Sequence, residues 1–391
     1  MPGNPVMRKI VLTICAISLF VAGCKKEETV KVQQQPSESL NGNLERNTSA
    51  VPDLIPYNVK GISRVTGKTQ PSGDSYINPN QTDVKYDVGG TDLGIMWDAG
   101  NGFTGLVFGD TFGRDWVYTT AGGANGSNWR SNVVGMSSDL NLDNGLTISA
   151  MRTDQNGAAK EVIPSPHNTS GNGSLTSIPT AAVRVDNTDY IHYMDIRQWG
   201  PPGIWTTNLS GVYYSSNNWE TSTKSAVSFA ANSNFAQAAY AKKDGYIYMI
   251  GTPAGRNGSA YLARFLQNNI LLQTEYEYWN GTSGWVKNNE ASATPIFDAP
   301  VAEISLVYNT HFNRWILTYL HGTRYALVMR SAENITGTWG PARTLVTGSA
   351  IPGLYGGYIH PLKNNSTDLY FLLSVWQPYN VFLVRSKLKM E

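Results

Sequence analysis

The sequence predicts an all-β protein, a five-bladed β-propeller, on three observations. Five apolar runs of similar pattern start at Thr104, Tyr190, Tyr246, Trp315 and Leu369, separated by 86, 56, 69 and 54 residues. Turn residues punctuate the stretches between them, and Asn218-Trp219, Gly284-Trp285 and Thr338-Trp339 follow three of the runs. No amphipathic period long enough for a substantial helix intervenes. A helix-free, sheet-forming unit repeated at this length suits a propeller, in which each blade buries its faces against its neighbours. A β-sandwich with long loops is the competing arrangement. The 11 tryptophans, 21 tyrosines and 38 glycines suit short strands joined by tight turns, and equally suit stacking on sugar rings.

From the N-terminus, Arg8 and Lys9 precede an apolar run over 10–21, which ends in Val21-Ala22-Gly23-Cys24. The run is too short for a spanning helix, and small residues before a cysteine give a secretory signal of the bacterial lipoprotein kind. Met7 is an alternative start, because 1–6 adds nothing to the signal. Residues 1–24 are therefore the expected signal peptide and lipidation site, with Cys24 carrying the lipid. Lys25-Lys26-Glu27-Glu28 resembles the short charged signal that sends Bacteroidetes lipoproteins to the cell surface. The expected location is the outer membrane, lipid-anchored and facing outward, with a periplasm-facing orientation as the alternative. Residues 25–55 are polar and aperiodic and read as a flexible tether. Residues 56–391 form the expected propeller, whose long first spacing predicts an insertion around 167–173.

Cys15 and Cys24 are the sole cysteines, so the processed chain has none left for disulfides and must be held by its core. Losing the signal removes Arg8 and Lys9 and no acid, moving the formal charge from +1 to −1. Neither value, nor any basic patch, supports a nucleic-acid partner.

In a propeller the innermost strands line a central channel, so polar residues near the start of each repeat converge on one rim. Asp92, Thr180, Gln237, Glu303 and His360 hold such positions. Asp92 and Asp110 each lie among glycines, in Gly90-Thr91-Asp92-Leu93-Gly94 and Phe108-Gly109-Asp110-Thr111-Phe112-Gly113, where a chain can approach a ligand closely. On neighbouring inner strands both would reach the channel mouth. Two carboxylates about 6.5–9.5 Å apart suit inverting glycoside hydrolysis, and about 5 Å suits a retaining route. Aspartates beside glycines are also ordinary turn residues. Glu303 interrupts the apolar run Val301-Ala302-Glu303-Ile304-Ser305, as a third acid, a sugar ligand or a structural hydrogen-bonding group. Arg130 and Asn132, and Arg256 further on, offer planar and amide donors for hydroxyls. Tyr355, Tyr358, His360, Trp376 and Tyr379 form a prospective aromatic wall, with plain blade packing as the alternative. No zinc spacing, EF-hand loop, phosphate loop or serine elbow is present, so no metal site and no organic cofactor are expected, with a structural calcium on the axis left open.

These motifs, in this order, resemble the bacterial family known as domain of unknown function 4185. The resemblance covers roughly 60–389, with Thr91-Asp92-Leu93-Gly94, Phe108-Gly109-Asp110-Thr111-Phe112, Arg130-Ser131-Asn132, Tyr246-Ile247-Tyr248, Gly251-Thr252-Pro253, Tyr276-Glu277-Tyr278-Trp279, Pro300-Val301-Ala302-Glu303, Thr336-Gly337-Thr338-Trp339 and Pro378-Tyr379-Asn380. It implies a five-bladed propeller and an inverting endo-D-arabinanase, with Asp92 and Asp110 as the catalytic pair in an unassigned order. The expected activity is thus hydrolysis of an extracellular polysaccharide, such as arabinan or arabinogalactan. The rival is a non-catalytic surface lipoprotein that binds glycan and passes it to uptake machinery. A structural or adhesion propeller is the third reading.

Overall fold

The computed structural model describes residues 53–68 and 76–391. The expected signal, Cys24 and all but the last residues of the expected tether lie outside the described residues. Each of the five recurrent runs folds as the second strand of an antiparallel sheet. These strands are almost continuously apolar because a neighbouring blade covers each face; β3 (Thr104–Phe108) is buried throughout.

Strand β1 (Leu54–Arg64) comes first in sequence but belongs to the last blade. The first blade is β2 (Leu93–Asp98), β3, β4 (Val133–Ser137) and β5 (Ala150–Met151). The second is β6 (Thr176–Val185), β7 (Thr188–Trp199), β8 (Trp205–Ser215) and β9 (Thr223–Ala230). The third has five strands, β10 (Gln237–Lys243), β11 (Tyr246–Thr252), β12 (Tyr261–Leu266), β13 (Glu277–Asn280) and β14 (Gly284–Lys287). The fourth is β15 (Ala302–Asn309), β16 (Arg314–His321), β17 (Ala326–Ala332) and β18 (Arg343–Thr347). The fifth runs β19 (Leu354–Ile359), β20 (Asp368–Val375) and β21 (Asn380–Met390), and β1 completes it as the outermost strand.

Inner strands β2, β6, β10, β15 and β19 pack in a closed ring. Side chains stitch successive blades together. Trp97 Nε1 donates to Asp189 Oδ1 at 2.9 Å, Ser210 Oγ to the Ala236 carbonyl at 2.9 Å, and Thr252 Oγ1 to the Val301 carbonyl at 3.1 Å. Thr318 Oγ1 donates to the Gly357 carbonyl at 2.8 Å, and the Leu93 N–H to Ser374 Oγ at 3.0 Å, which closes the circle. Among the described residues the one α-helix is Thr82–Tyr86, and no helix is long and apolar enough to cross a membrane.

Two differences from the sequence reading concern the first blade. The long first spacing is filled twice, by 109–132 between β3 and β4 and by 152–175 between β5 and β6, so the expected insertion at 167–173 is part of the second segment. Asp110 follows β3, the second strand, rather than lying on an inner strand.

Candidate active site

Four of the five inner strands carry a β-bulge, in three of them at the start of the strand and in β6 after its first four residues. Each bulge brings a residue to the cleft lining. In β2 the register skips Gly94, which has φ +87°; in β6 it skips Thr180. In β15 it breaks between Ala302 and Ser305, with Glu303 at φ +43°, and in β19 it skips Tyr355. A bulge puts an extra residue on one strand and re-aims its side chain. A left-handed glutamate is uncommon and costs free energy that the surrounding fold must offset. Asp92 itself directly precedes the β2 bulge. Its neighbours are clamped to the fifth blade, the Thr91 N–H by the Tyr379 carbonyl at 2.8 Å and the Leu93 N–H by Ser374.

Asp92 and Asp110 meet at the end of the β2–β3 hairpin. The Gly109 N–H donates to the Asp92 carbonyl at 3.2 Å, and a Cβ on Gly109 would collide with Asp92 Oδ1. Asp92 Oδ2 accepts from the Tyr355 hydroxyl at 2.8 Å and from Tyr379 at 3.4 Å, whereas Oδ1 is buried without a partner. Burial, reinforced by the negative charge of Asp110, pushes the Asp92 carboxyl up to about 8, against the two tyrosine hydroxyls. Asp110 Oδ1 accepts from Trp129 Nε1 at 2.7 Å and from Thr176 Oγ1 at 2.6 Å. Burial also lifts Asp110, to about 6, but these two donors favour its ionised form. The two carboxyls are thereby set apart.

Glu303 is the third acid. Its Oε1 accepts from Arg256 Nε at 2.8 Å and Nη2 at 2.6 Å, and its Oε2 is buried without a partner. Burial raises its pKa and the Arg256 guanidinium opposes the rise. Arg256 also lies over the rings of Tyr355 and Trp205, at 5.5 and 5.9 Å from their centroids. All three acids line one open cleft of about 670 Å³, together with Thr180, Gln237, Tyr355, Tyr358, Trp376 and Tyr379. Trp376 meets Tyr355 and Tyr379 edge-on at 6.2 and 5.7 Å. The Gln237 amide donates to the Pro253 and Gly255 carbonyls at 3.0 and 2.7 Å, fixing the loop that carries Arg256. A cleft with one neutral and one ionised carboxyl at neutral pH has the two states that acid–base hydrolysis of a glycoside needs.

The family model described as domain of unknown function (DUF4185) matches residues 78–385. The chain belongs to that family. A relative of similar extent is notoamide biosynthesis cluster protein J of Aspergillus sp. (strain MF297-2), 29% identical over an alignment of 315 residues that covers 75% of this chain and 81% of that protein. Protein J′ of Aspergillus versicolor is 28% identical, over 75% of this chain and 82% of its own. Among solved structures, a Bacteroides ovatus ATCC 8483 protein described provisionally as a hydrolase matches with TM-score 0.53 and 14% identity, over 77% of this chain and 86% of that one. It shares the fold of this DUF4185 chain.

Three residues expected in the site of this DUF4185 protein do not line the cleft. Arg130 is buried below it, donating to the Asp87 carbonyl at 2.8 Å with its guanidinium 3.6 Å from the Asp87 carboxylate. Asn132 is consumed by backbone: it donates to the Ile163 and Ser177 carbonyls at 2.9 and 3.0 Å and accepts from the Ile163 N–H at 2.8 Å. His360 follows the far end of β19, buried, 3.3 Å from Thr104 Oγ1, and burial lowers it to about 4. The first two were candidates as planar and amide donors able to grip hydroxyls, yet they fasten the 109–132 segment, which carries Asp110, to Asp87, Ile163 and Ser177. Sequence reasoning missed Trp129 and Thr176, which bind Asp110, and His167, whose ring lies 4.2 Å from Trp129 and whose Nε2 is 3.2 Å from Glu161. Trp129 directly precedes the Arg130 motif, but nothing in the spacing pairs it with an aspartate nineteen positions earlier.

Proposed function

We propose that this protein is an inverting glycoside hydrolase acting on a polysaccharide, with D-arabinan as the first substrate to test. The observation that carries the reading is the convergence of Asp92, Asp110 and Glu303 on one aromatic-walled cleft, with the first two carboxyls displaced unequally. Asp92 is the general acid: neutral at pH 7, it protonates the leaving glycosidic oxygen. Asp110 is the general base: ionised at pH 7, it takes a proton from the water that attacks the anomeric carbon on the opposite face. Glu303 and Arg256 orient the sugar, and the Glu303 carboxylate adds negative charge near the oxocarbenium-like transition state. The inverting course and the arabinan rest on the resemblance noted above. Anchoring through Cys24 at the cell surface is part of the same proposal, and radiolabelled palmitate incorporated by wild type but not by Cys24→Ala tests it.

The deciding experiment is product release from arabinan, arabinogalactan, xylan and galactan by wild type, Asp92→Asn and Asp110→Asn. Oligosaccharides from wild type alone support the pair, and proton NMR of the first product reads its anomeric configuration. Retention would overturn the inverting route. Binding of a glycan without any product would replace the hydrolase with a glycan-capture protein.

A further inference from the structure

The cleft has a second pole, which hydrolysis does not use. Strands β7 and β8 run 12 and 11 residues, and their hairpin continues to Trp199 and Trp205, past Ile196 where the pairing of β7 with β6 ends. Its tip reads Trp199-Gly200-Pro201-Pro202-Gly203-Ile204-Trp205 and carries no polar side chain apart from the indole N–H groups. The tip is built to hold shape. The Gly200 N–H and Ile204 carbonyl pair at 2.9 Å, Trp199 and Trp205 stack edge-on at 5.8 Å, and the Arg256 N–H donates to the Gly203 carbonyl at 2.9 Å. That last bond ties the tip to the residue that grips Glu303. Trp199 and Ile204 are 44% and 52% exposed, and both line the acid cleft.

The apolar surface continues inward from the tip to Ile178 and Met194, which are 7% and 3% exposed and line the same cleft. A flat partner or a lipid surface would reach the tip but not these residues. The occupant therefore enters the cleft. Trp199 and Trp205 suit a sugar ring and an aryl group alike, and the Trp205 Nε1–H is buried without a partner. The aliphatic side chains of Ile178, Met194 and Ile204, by contrast, offer sugar hydroxyls neither donor nor acceptor. We propose that this wall is a subsite for an apolar group, aryl or acyl, attached to the sugar beside the scissile linkage. The proposal rests on the hydrolase reading for the position of that linkage. The polar pole holds the sugar and the apolar wall selects its substituent.

Calorimetric titration of the Asp92→Asn protein tests this without turnover. The probes are 4-nitrophenyl, octyl and methyl glycosides of arabinofuranose, xylopyranose and galactopyranose. For a sugar that binds, the 4-nitrophenyl or octyl glycoside is expected to bind about tenfold tighter than the methyl glycoside, from the apolar area it buries. Adding Trp199→Ser and Ile204→Ser, both at exposed positions, should erase that ratio and leave methyl glycoside affinity unchanged. Preference for 4-nitrophenyl alone assigns an aromatic substituent, and preference for both an acyl-like one. Equal affinities, a ratio that survives both substitutions, or no binding of any apolar glycoside overturns the proposal. A wild type that binds through the hairpin yet releases no product from any glycan would instead sink the hydrolase reading and leave the subsite standing.

Discussion

At the scale of single residues, the two aspartates differ in what surrounds them. Asp92 is held by tyrosine hydroxyls with one oxygen unpartnered, and Asp110 by an indole and a threonine on one oxygen. Under the proposed hydrolysis, activity needs Asp110 ionised and Asp92 protonated, so kcat/KM should be bell-shaped, with an acid limb near 6 and an alkaline limb near 8. Asn at either position should lower kcat by roughly 10²–10⁴-fold. Trp129→Phe removes a donor to the Asp110 carboxylate, so its pKa rises and the acid limb moves to higher pH, by about one unit. An unchanged limb would take Asp110 out of the base role. Stability follows the same chemistry with its own sign. Between the ordinary value of 3.8 and about 8, folded Asp92 keeps a proton that the unfolded chain releases, so its contribution falls as pH rises through that window. Asp92→Asn removes that loss while its amide oxygen still accepts from Tyr355. Differential scanning calorimetry should therefore show the variant melting several degrees higher than wild type at pH 8, with the advantage gone near pH 4.

At the scale of strands and turns, the bulges place the site and the hairpin end tightens it. Gly109 has no side chain because Asp92 Oδ1 occupies the space a Cβ would fill. Gly109→Ala should displace that carboxylate and cut kcat/KM by about 10²-fold, since small misplacements of reacting groups carry large rate costs. In the Asp92→Asn background the same substitution should add little, because both act on one group. A full additive loss in the double variant would show that Gly109 matters for something other than Asp92. The five second strands were legible in the sequence because burial on both faces writes a continuous apolar run. Asp92, Glu303 and Gln237 were legible as polar residues at strand entries, and Asp110 as an acid among glycines. The bulges were not, because an extra residue in one strand is defined only by the partner it fails to match. Arg130 and Asn132 looked like ligands because a buried structural donor and a substrate donor have the same chemistry, and only their partners separate them. The hairpin wall went unread for the converse reason: Trp199–Trp205 looks like core until its exposure is seen.

At the scale of the molecule, the ring is closed by pairing the first described strand with the last. Strand β1 pairs antiparallel with β21 from Leu54 opposite Met390 to Arg64 opposite Phe382. Asp53 fastens this strand to the fourth blade, accepting from Ser331 Oγ and from Arg343 Nε at 3.0 Å, and the Leu54 N–H donates to Ser331 Oγ at 3.2 Å. The Glu391 N–H returns to the Asp53 carbonyl at 2.9 Å. Without β1, β21 would be the open outer edge of the fifth blade at this seam, and open edges pair with other chains. The seam also touches the site, because Tyr379, just before β21, contacts Asp92. Leu54 is fully buried in that seam, whereas Val59 in the same strand is 38% exposed. Leu54→Ala should therefore cost about 2–5 kcal/mol, while Val59→Ala should stay within about 0.5 kcal/mol. If closure couples the blades into one cooperative unit, calorimetry of Leu54→Ala will show a single transition lowered by roughly 5 °C, and activity will disappear with it. An early, separate transition that leaves the rest of the unfolding in place would mean that the fifth blade opens alone, and that the site depends on the seam rather than on the whole ring.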